Sequence, residues 1–162
     1  MTHEKTPVTP AIRMLRERNV EYTVHLYDYV EKGGTAVSSR ALGVDEHDVI
    51  KTLIMEDDRG NPLVILMHGD REVSTKELAR TAGCRSISSC APEKARKFSG
   101  YMVGGTSPFG LRRPMPVFME STICESSKIY INGGRRGFLV GIDPVEIVRL
   151  LSPVMVCVGV VP

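Results

Sequence analysis

Hydrophobic and polar positions alternate over residues 21–27. Tyr22, Val24 and Leu26 fall on one side and Thr23, His25 and Tyr27 on the other, which predicts a strand. Before it, Thr9 and Pro10 suit the N-cap and first position of a helix with Ile12, Leu15 and Met14 facing inward, ending near Asn19. After it, residues 35–42 read as a short helix closed by Gly43, and 45–48 as a further helical turn. Residues 49–55 and 62–67 read as two strands joined by turn chemistry at Asp58-Arg59-Gly60-Asn61. Ser74, with Glu77 three residues on, predicts a capped helix over 75–82 ended by Gly83. A short strand is expected at 85–87, a helix over 92–98 closed by Gly100, and a strand-like run from Tyr101 to Val103. Strands follow at 116–119 and 128–131. The segment 132–137 reads as a tight basic turn into a strand at 138–142. Asp143 and Pro144 open a last helix with Ile147, Leu150 and Leu151 inward, and one strand is expected over 154–161. Strands dominate and helices interrupt them irregularly. That pattern predicts an α+β fold with a mixed, barrel-like sheet and peripheral helices.

Composition narrows this little. The 162 residues suit one domain spanning 1–162. A net charge of +2 does not announce a nucleic-acid binder and leaves room for a local basic patch. No apolar run approaches membrane-spanning length, and Met1-Thr2-His3-Glu4-Lys5 has no apolar leader core, so a cytoplasmic protein is expected. Cys84, Cys90, Cys124 and Cys157 form no C-x-x-C pair, which fits reduced thiols; Cys157, in an apolar run, is expected to be buried.

The chemistry concentrates in a few places. Residues 101–110 pass from apolar into Gly104-Gly105-Thr106-Ser107-Pro108-Phe109-Gly110, a loop whose backbone N–H groups can receive an oxyanion or phosphate, or else a plain turn. Lys51 sits inside an apolar strand, where an ammonium needs an anion or access to water. It either meets a ligand or faces solvent from a sheet edge. Arg112-Arg113 and Arg135-Arg136 are basic pairs beside glycine turns, able to meet phosphates or simply solvated. His68 follows an apolar strand and is a candidate acid or base without an evident partner. Paired-carboxylate, metal-ligand, Walker and G-x-S-x-G motifs are missing, so the expected site uses neither metal nor cofactor.

Taken in order, Thr9-Pro10-Ala11, His25-Leu26-Tyr27, Lys51-Thr52-Leu53, the run 100–110 and Ile129-Tyr130-Ile131-Asn132-Gly133-Gly134-Arg135-Arg136-Gly137 resemble the YbaK/EbsC family. These are free-standing relatives of the editing domain inserted in bacterial prolyl-tRNA synthetases. The resemblance implies hydrolysis of mischarged aminoacyl-tRNA, Cys-tRNA(Pro) first, with Ala-tRNA(Pro) or another mischarged tRNA as the alternative. A module that binds tRNA or the synthetase without turnover is the reading of a different class. It implies that Lys51 contacts the terminal nucleotide, that the 104–110 loop holds the ester and ribose, and that Tyr27 lies at the pocket. Candidate catalytic residues are therefore Lys51, Gly104, Gly105, Thr106 and Ser107. Candidate substrate-binding residues are Tyr27, Thr52, Pro108, Gly110, Gly133, Gly134 and Arg136. His68 joins them because the usual family residues at 67–70 are small and lack a histidine. The implied partners are the 3′-aminoacyl end of tRNA and prolyl-tRNA synthetase. In cysteinyl-specific members the substrate's own thiol is thought to attack the ester.

Overall fold

The computed structural model describes residues 6–162; the leader reading of Met1–Lys5 falls outside them. Among the described residues, ten strands and five α-helices follow one another as α1 (Pro10–Glu17), β1 (Thr23–Leu26), α2 (Gly34–Leu42), β2 (Val49–Asp57), β3 (Pro62–His68), β4 (Glu72–Val73), α3 (Thr75–Ala82), β5 (Ile87–Ser89), α4 (Pro92–Ser99), β6 (Val117–Glu120), β7 (Ile129–Arg135), β8 (Phe138–Ile142), α5 (Pro144–Leu151), β9 (Val154–Val156) and β10 (Gly159–Val160). The main sheet runs β1-β8-β7-β2-β3-β6-β9, with β5 on the far end of β2, and β4 pairs with β10 separately. β7 runs parallel to β2, and β6 lies parallel to both β3 and β9, while the hairpins are antiparallel. The sheet is therefore mixed, as the strand pattern predicts.

β3 shows why its sequence is apolar at every position from Pro62 to Met67. Side chains alternate across a strand. Val64 and Leu66 enter one core with Ile12, Leu15, Phe109 and Phe138, and Leu63, Ile65 and Met67 enter another with Leu78, Phe118 and Val156. Both faces are covered, so no polar alternation survives. The predicted caps form: Thr9, Ser74 and Asp143 accept backbone N–H bonds from Ile12, Glu77 and Val145, and Gly43 and Gly83 close α2 and α3 in the left-handed region.

Four expectations change. Residues 101–103 form no strand: Met102 O accepts from Gly105 N (2.9 Å) and Thr106 Oγ1 (3.3 Å), bending the chain instead. β5 lies two residues later than expected. The stretch 132–135 is not a turn but the bulged end of β7. The single terminal strand divides into β9 and β10. The buried carboxylate of Glu120 accepts from Val158 N (2.7 Å) and Gly159 N (2.6 Å) and draws the chain off β6 toward β4. That diversion leaves Cys157 exposed rather than buried, its Sγ 3.2 Å from Ser121 Oγ.

Candidate functional site

A cleft of about 650 Å³ opens where β2, the chain after β1, the 102–106 loop and the β7–β8 hairpin converge. It gathers Tyr27, Lys51, Thr52, Gly104, Thr106 and Arg136, six of the residues singled out from the sequence, and adds Tyr29, Thr35, Cys90, Asn132 and Leu139.

The half-buried Lys51 ammonium donates to Arg71 O. Burial pushes its pKa down, and Glu72, Glu46 and Asp70 pull it back. Its anchor is itself braced: Arg71 Nη1 lies 2.9 Å from Asp70 Oδ2, and Asp70 Oδ1 lies 2.8 Å from His47 Nδ1. The cation is thus held by the 69–72 turn. The neighbouring Thr52 hydroxyl is buried, and among the described residues it has no hydrogen-bond partner. A hydroxyl left so costs about 1–3 kcal/mol unless a ligand group meets it.

The glycine loop is held from behind by its carbonyls. Val103 O accepts from Arg136 Nε (2.9 Å) and Gly104 O from Asn132 Nδ2 (3.2 Å). Tyr101, buried with its pKa pushed up to about 12, donates its hydroxyl to Phe109 O at 2.6 Å. With the carbonyls engaged, the N–H groups of Gly104 and Thr106 donate to no acceptor among the described residues. Gly104 takes φ +87°, and a Cβ there would lie 2.6 Å from Tyr29 Oη, so glycine is required. Tyr29 in turn lies under the Arg136 guanidinium, 4.9 Å from ring centroid to Cζ. Burial raises the Tyr27 phenol, which stays protonated at neutral pH.

The other expected residues shape the loop from outside the cleft. Ser107 is fully buried and its Oγ accepts from Phe109 N (3.1 Å); Pro108 is buried beside it. Gly110 packs against the backbone of Pro10, Gly133 against the Phe138 ring, and Gly105 against the backbone of Arg135 and Arg136. Gly134 follows with φ +102° against Tyr101 and Thr9. His68 is the correction. It is buried away from the cleft lining, with Nδ1 2.7 Å from His47 O, Nε2 2.7 Å from Thr122 Oγ1, and its ring stacked on His47 at 3.7 Å. Burial lowers its pKa and both nitrogens are occupied, so it braces the turn below Lys51 instead of bordering the pocket.

Sequence reasoning passed over Asn132 and Tyr29. Asn132 was in view, inside a motif read as a turn. Its double role, accepting from Gly134 N (2.7 Å) and Arg135 N (3.1 Å) while donating to Gly104 O, becomes visible only when the hairpin and the loop are brought together. Tyr29 carried no signal beyond being a second tyrosine near Tyr27.

The fold is shared with solved structures. The crystal structure of hypothetical protein APE2540 superposes with a TM-score of 0.86 at 22% identity, over 94% of this chain and 100% of that one. A crystal structure of "a putative trans-editing enzyme for prolyl tRNA synthetase" gives 0.81 at 19% identity, over 95% and 99%. The class these structures define is a mixed-sheet α+β domain. The chain belongs to the aminoacyl-tRNA editing domain family, whose pattern matches residues 32–150. Among relatives, the Enterococcus faecalis protein named "Putative Cys-tRNA(Pro)/Cys-tRNA(Cys) deacylase EbsC" is 27% identical over 89% of this chain and 88% of its own length. A proline--tRNA ligase of Moorella thermoacetica is 34% identical over 64% of this chain, which spans only 18% of the ligase.

Proposed function

We propose that the cleft hydrolyses the ester of a mischarged aminoacyl-tRNA, with Cys-tRNA(Pro) as its substrate, and that the protein acts in trans to prolyl-tRNA synthetase. The observation that carries this is that Lys51, Thr52 with its unpartnered hydroxyl, and Gly104 and Thr106 with their unengaged amides line one cleft. An aminoacyl ester is already activated. Orienting it and stabilising the oxyanion that forms at its carbonyl supply most of what the reaction needs. The amides of Gly104 and Thr106 serve the oxyanion. Lys51 serves the phosphate of the terminal nucleotide. The Thr52 hydroxyl meets a polar group of the bound aminoacyl-adenosine, and Tyr27 walls the pocket beside Ser38.

Cys90 also lines the cleft, yet burial and Glu56 push its thiol up, so it remains protonated at neutral pH and is a poor nucleophile. With cysteinyl substrate the attacking group is the substrate's own sulfur. The S–C bond closes a thiolactone, the C–O bond to ribose breaks, and the departing 3′-oxygen takes up the thiol proton; water then opens the released thiolactone to free cysteine, which completes the hydrolysis. The similarity to EbsC over nearly its whole length supports the cysteinyl assignment.

The test is deacylation of Cys-, Ala- and Pro-tRNA(Pro) by purified protein. Cys-tRNA(Pro) should be consumed fastest and Pro-tRNA(Pro) spared. Lys51→Ala should lower kcat/KM by roughly 100-fold, the scale of removing one preorganised charge-stabilising group. Faster turnover of Ala-tRNA(Pro) would reassign the amino acid, and RNA binding without turnover of any substrate would favour the non-catalytic module.

A further inference from the structure

Behind the glycine loop lies a second depression, of about 480 Å³, bordered by Tyr101, Met102, Gly105, Gly134, Arg135 and Arg136. Arg136 borders both cavities, so the depression and the cleft adjoin at this residue. Arg112 lies along one rim, close enough that a Cβ on Gly100 would touch its Cβ at 3.2 Å and its Nε at 3.4 Å. Arg113 covers the Phe98 ring next to it, 5.0 Å from the centroid. All four arginines are exposed, and none makes an ion pair among the described residues, whereas Arg71, Arg80 and Arg149 each hold a carboxylate.

The sequence deepens this contrast. Residues 94–119 and 126–142 contain Lys94, Arg96, Lys97, Arg112, Arg113, Lys128, Arg135 and Arg136, but no Asp or Glu. The net charge of the whole chain is only +2, so these stretches are strongly basic and the remainder is net acidic. A small overall charge conceals a one-sided field. Met102 and Val103, 49% and 47% exposed, add an apolar crest between the two cavities against which a base or ribose face can rest.

We propose that this depression, with Arg112 and Arg135 on its rims, binds the phosphodiester backbone of RNA just upstream of the 3′ end, so that the strand passes over Arg136 into the cleft. The inference rests on the aminoacyl-tRNA reading of the cleft, but its test does not require catalysis. The probe is a fluorescently labelled, uncharged RNA hairpin with a single-stranded CCA end, titrated with protein at several salt concentrations. The double variant Arg112→Ala/Arg135→Ala should bind it about tenfold or more weakly at moderate salt. Its plot of log K against log salt should be shallower by roughly 1.4, about 0.7 for each phosphate of single-stranded RNA that the variant no longer neutralises. Arg→Lys at both positions should restore most of the slope, because charge rather than fork geometry carries a backbone interaction. Arg135→Glu, read separately, should weaken binding further and guards against a folding defect in the double variant.

Unchanged affinity and slope in the double variant overturn the proposal, even if deacylation is robust. Weakened binding with the shallower slope in the variant, in a protein that deacylates nothing, upholds the RNA groove and removes the deacylase reading. Failure of the unaltered protein to bind the hairpin at low salt overturns both.

Discussion

The β2–β3 hairpin keeps its register through seven consecutive pairs, from Ile50↔His68 to Glu56↔Pro62, whereas the adjoining β7–β8 hairpin holds four and then skips from Asn132↔Leu139 to Arg135↔Phe138. The first closes through Asp57, whose carboxylate accepts from Arg59 N (2.8 Å) and Asn61 N (2.9 Å) within the turn itself. The second inserts Gly133 and Gly134 and turns Asn132 and Arg136 toward the 102–106 loop. A regular ladder presents Lys51 and Thr52 on a rigid strand. A bulge releases backbone from the ladder and re-aims side chains. On the proposed reading, one hairpin supplies Lys51 and Thr52 to the substrate, while the other supplies the side chains that hold the loop beside it.

The largest effect should come from Gly134→Ala. A Cβ there meets Tyr101 Cε1 at 2.8 Å and Thr9 Cβ at 3.0 Å, on a backbone at φ +102°. Strain and overpacking together should cost about 2–4 kcal/mol in denaturant unfolding and abolish deacylation. A loss below about 0.5 kcal/mol would mean that the bulge is free to relax, and the contrast between the hairpins would weaken.

Asn132→Ala comes next. It strands the N–H groups of Gly134 and Arg135 and releases Gly104 O, at an expected cost of about 1–3 kcal/mol. Deacylation should drop about tenfold, the scale of removing one positioning hydrogen bond. Asn132→Asp sharpens the point, because it keeps the acceptor for the bulge and loses only the donor to the loop. It should retain most of the stability while activity stays low. Recovery of both together would show that the tether to Gly104 is dispensable.

A smaller effect concerns the ordered end of β2–β3. Burial, reinforced by His47 and opposed by the His47 carbonyl bond, Asp70 and Glu120, holds the folded-state pKa of His68 below the ordinary 6.5. Above 6.5 both folded and unfolded chains leave it neutral. As pH falls below 6.5 the unfolded chain takes up a proton that the folded one refuses, so stability declines with acid until the lowered folded pKa is passed. The melting temperature should therefore fall between pH 7 and pH 5, less steeply in His68→Gln, with His25, lowered by burial and Lys128, supplying part of what remains. An identical slope in the variant would place the acid sensitivity elsewhere.

The smallest effect belongs to Asp57→Ala. The melting temperature should drop slightly and kcat/KM should not move, since its bonds stay within the exposed turn. A fall in kcat/KM would connect the regular hairpin's tip to the cleft and erase the division of labour.

The expected elements mostly form because their signals are local. Thr9, Ser74 and Asp143 cap whichever helix follows them, and turn residues at 58–61 close a hairpin through bonds to the neighbouring Asp57. The same locality explains the errors. Tyr101-Met102-Val103 has strand composition, but the Tyr101 hydroxyl is claimed by Phe109 O and Met102 O by Gly105 and Thr106, so no partner strand is met. The 154–161 run has strand composition throughout, and only the buried Glu120, 38 residues before Val158, divides it.

The order of motifs along the chain, with Lys51-Thr52 before the glycine loop and the I-Y-x-x-G-G motif after it, pointed to the family and to six of the residues that line the cleft, because residue types at particular spacings are legible without the fold. Tertiary structure alone decided that His68 braces rather than borders, that Asn132 and Arg136 hold the loop, and that Arg112 comes to lie beside the depression bordered by Arg135 and Arg136. Those roles are relations between residues far apart in sequence. No local propensity encodes a distance across the fold, which only the packing of the sheet and its two cores sets.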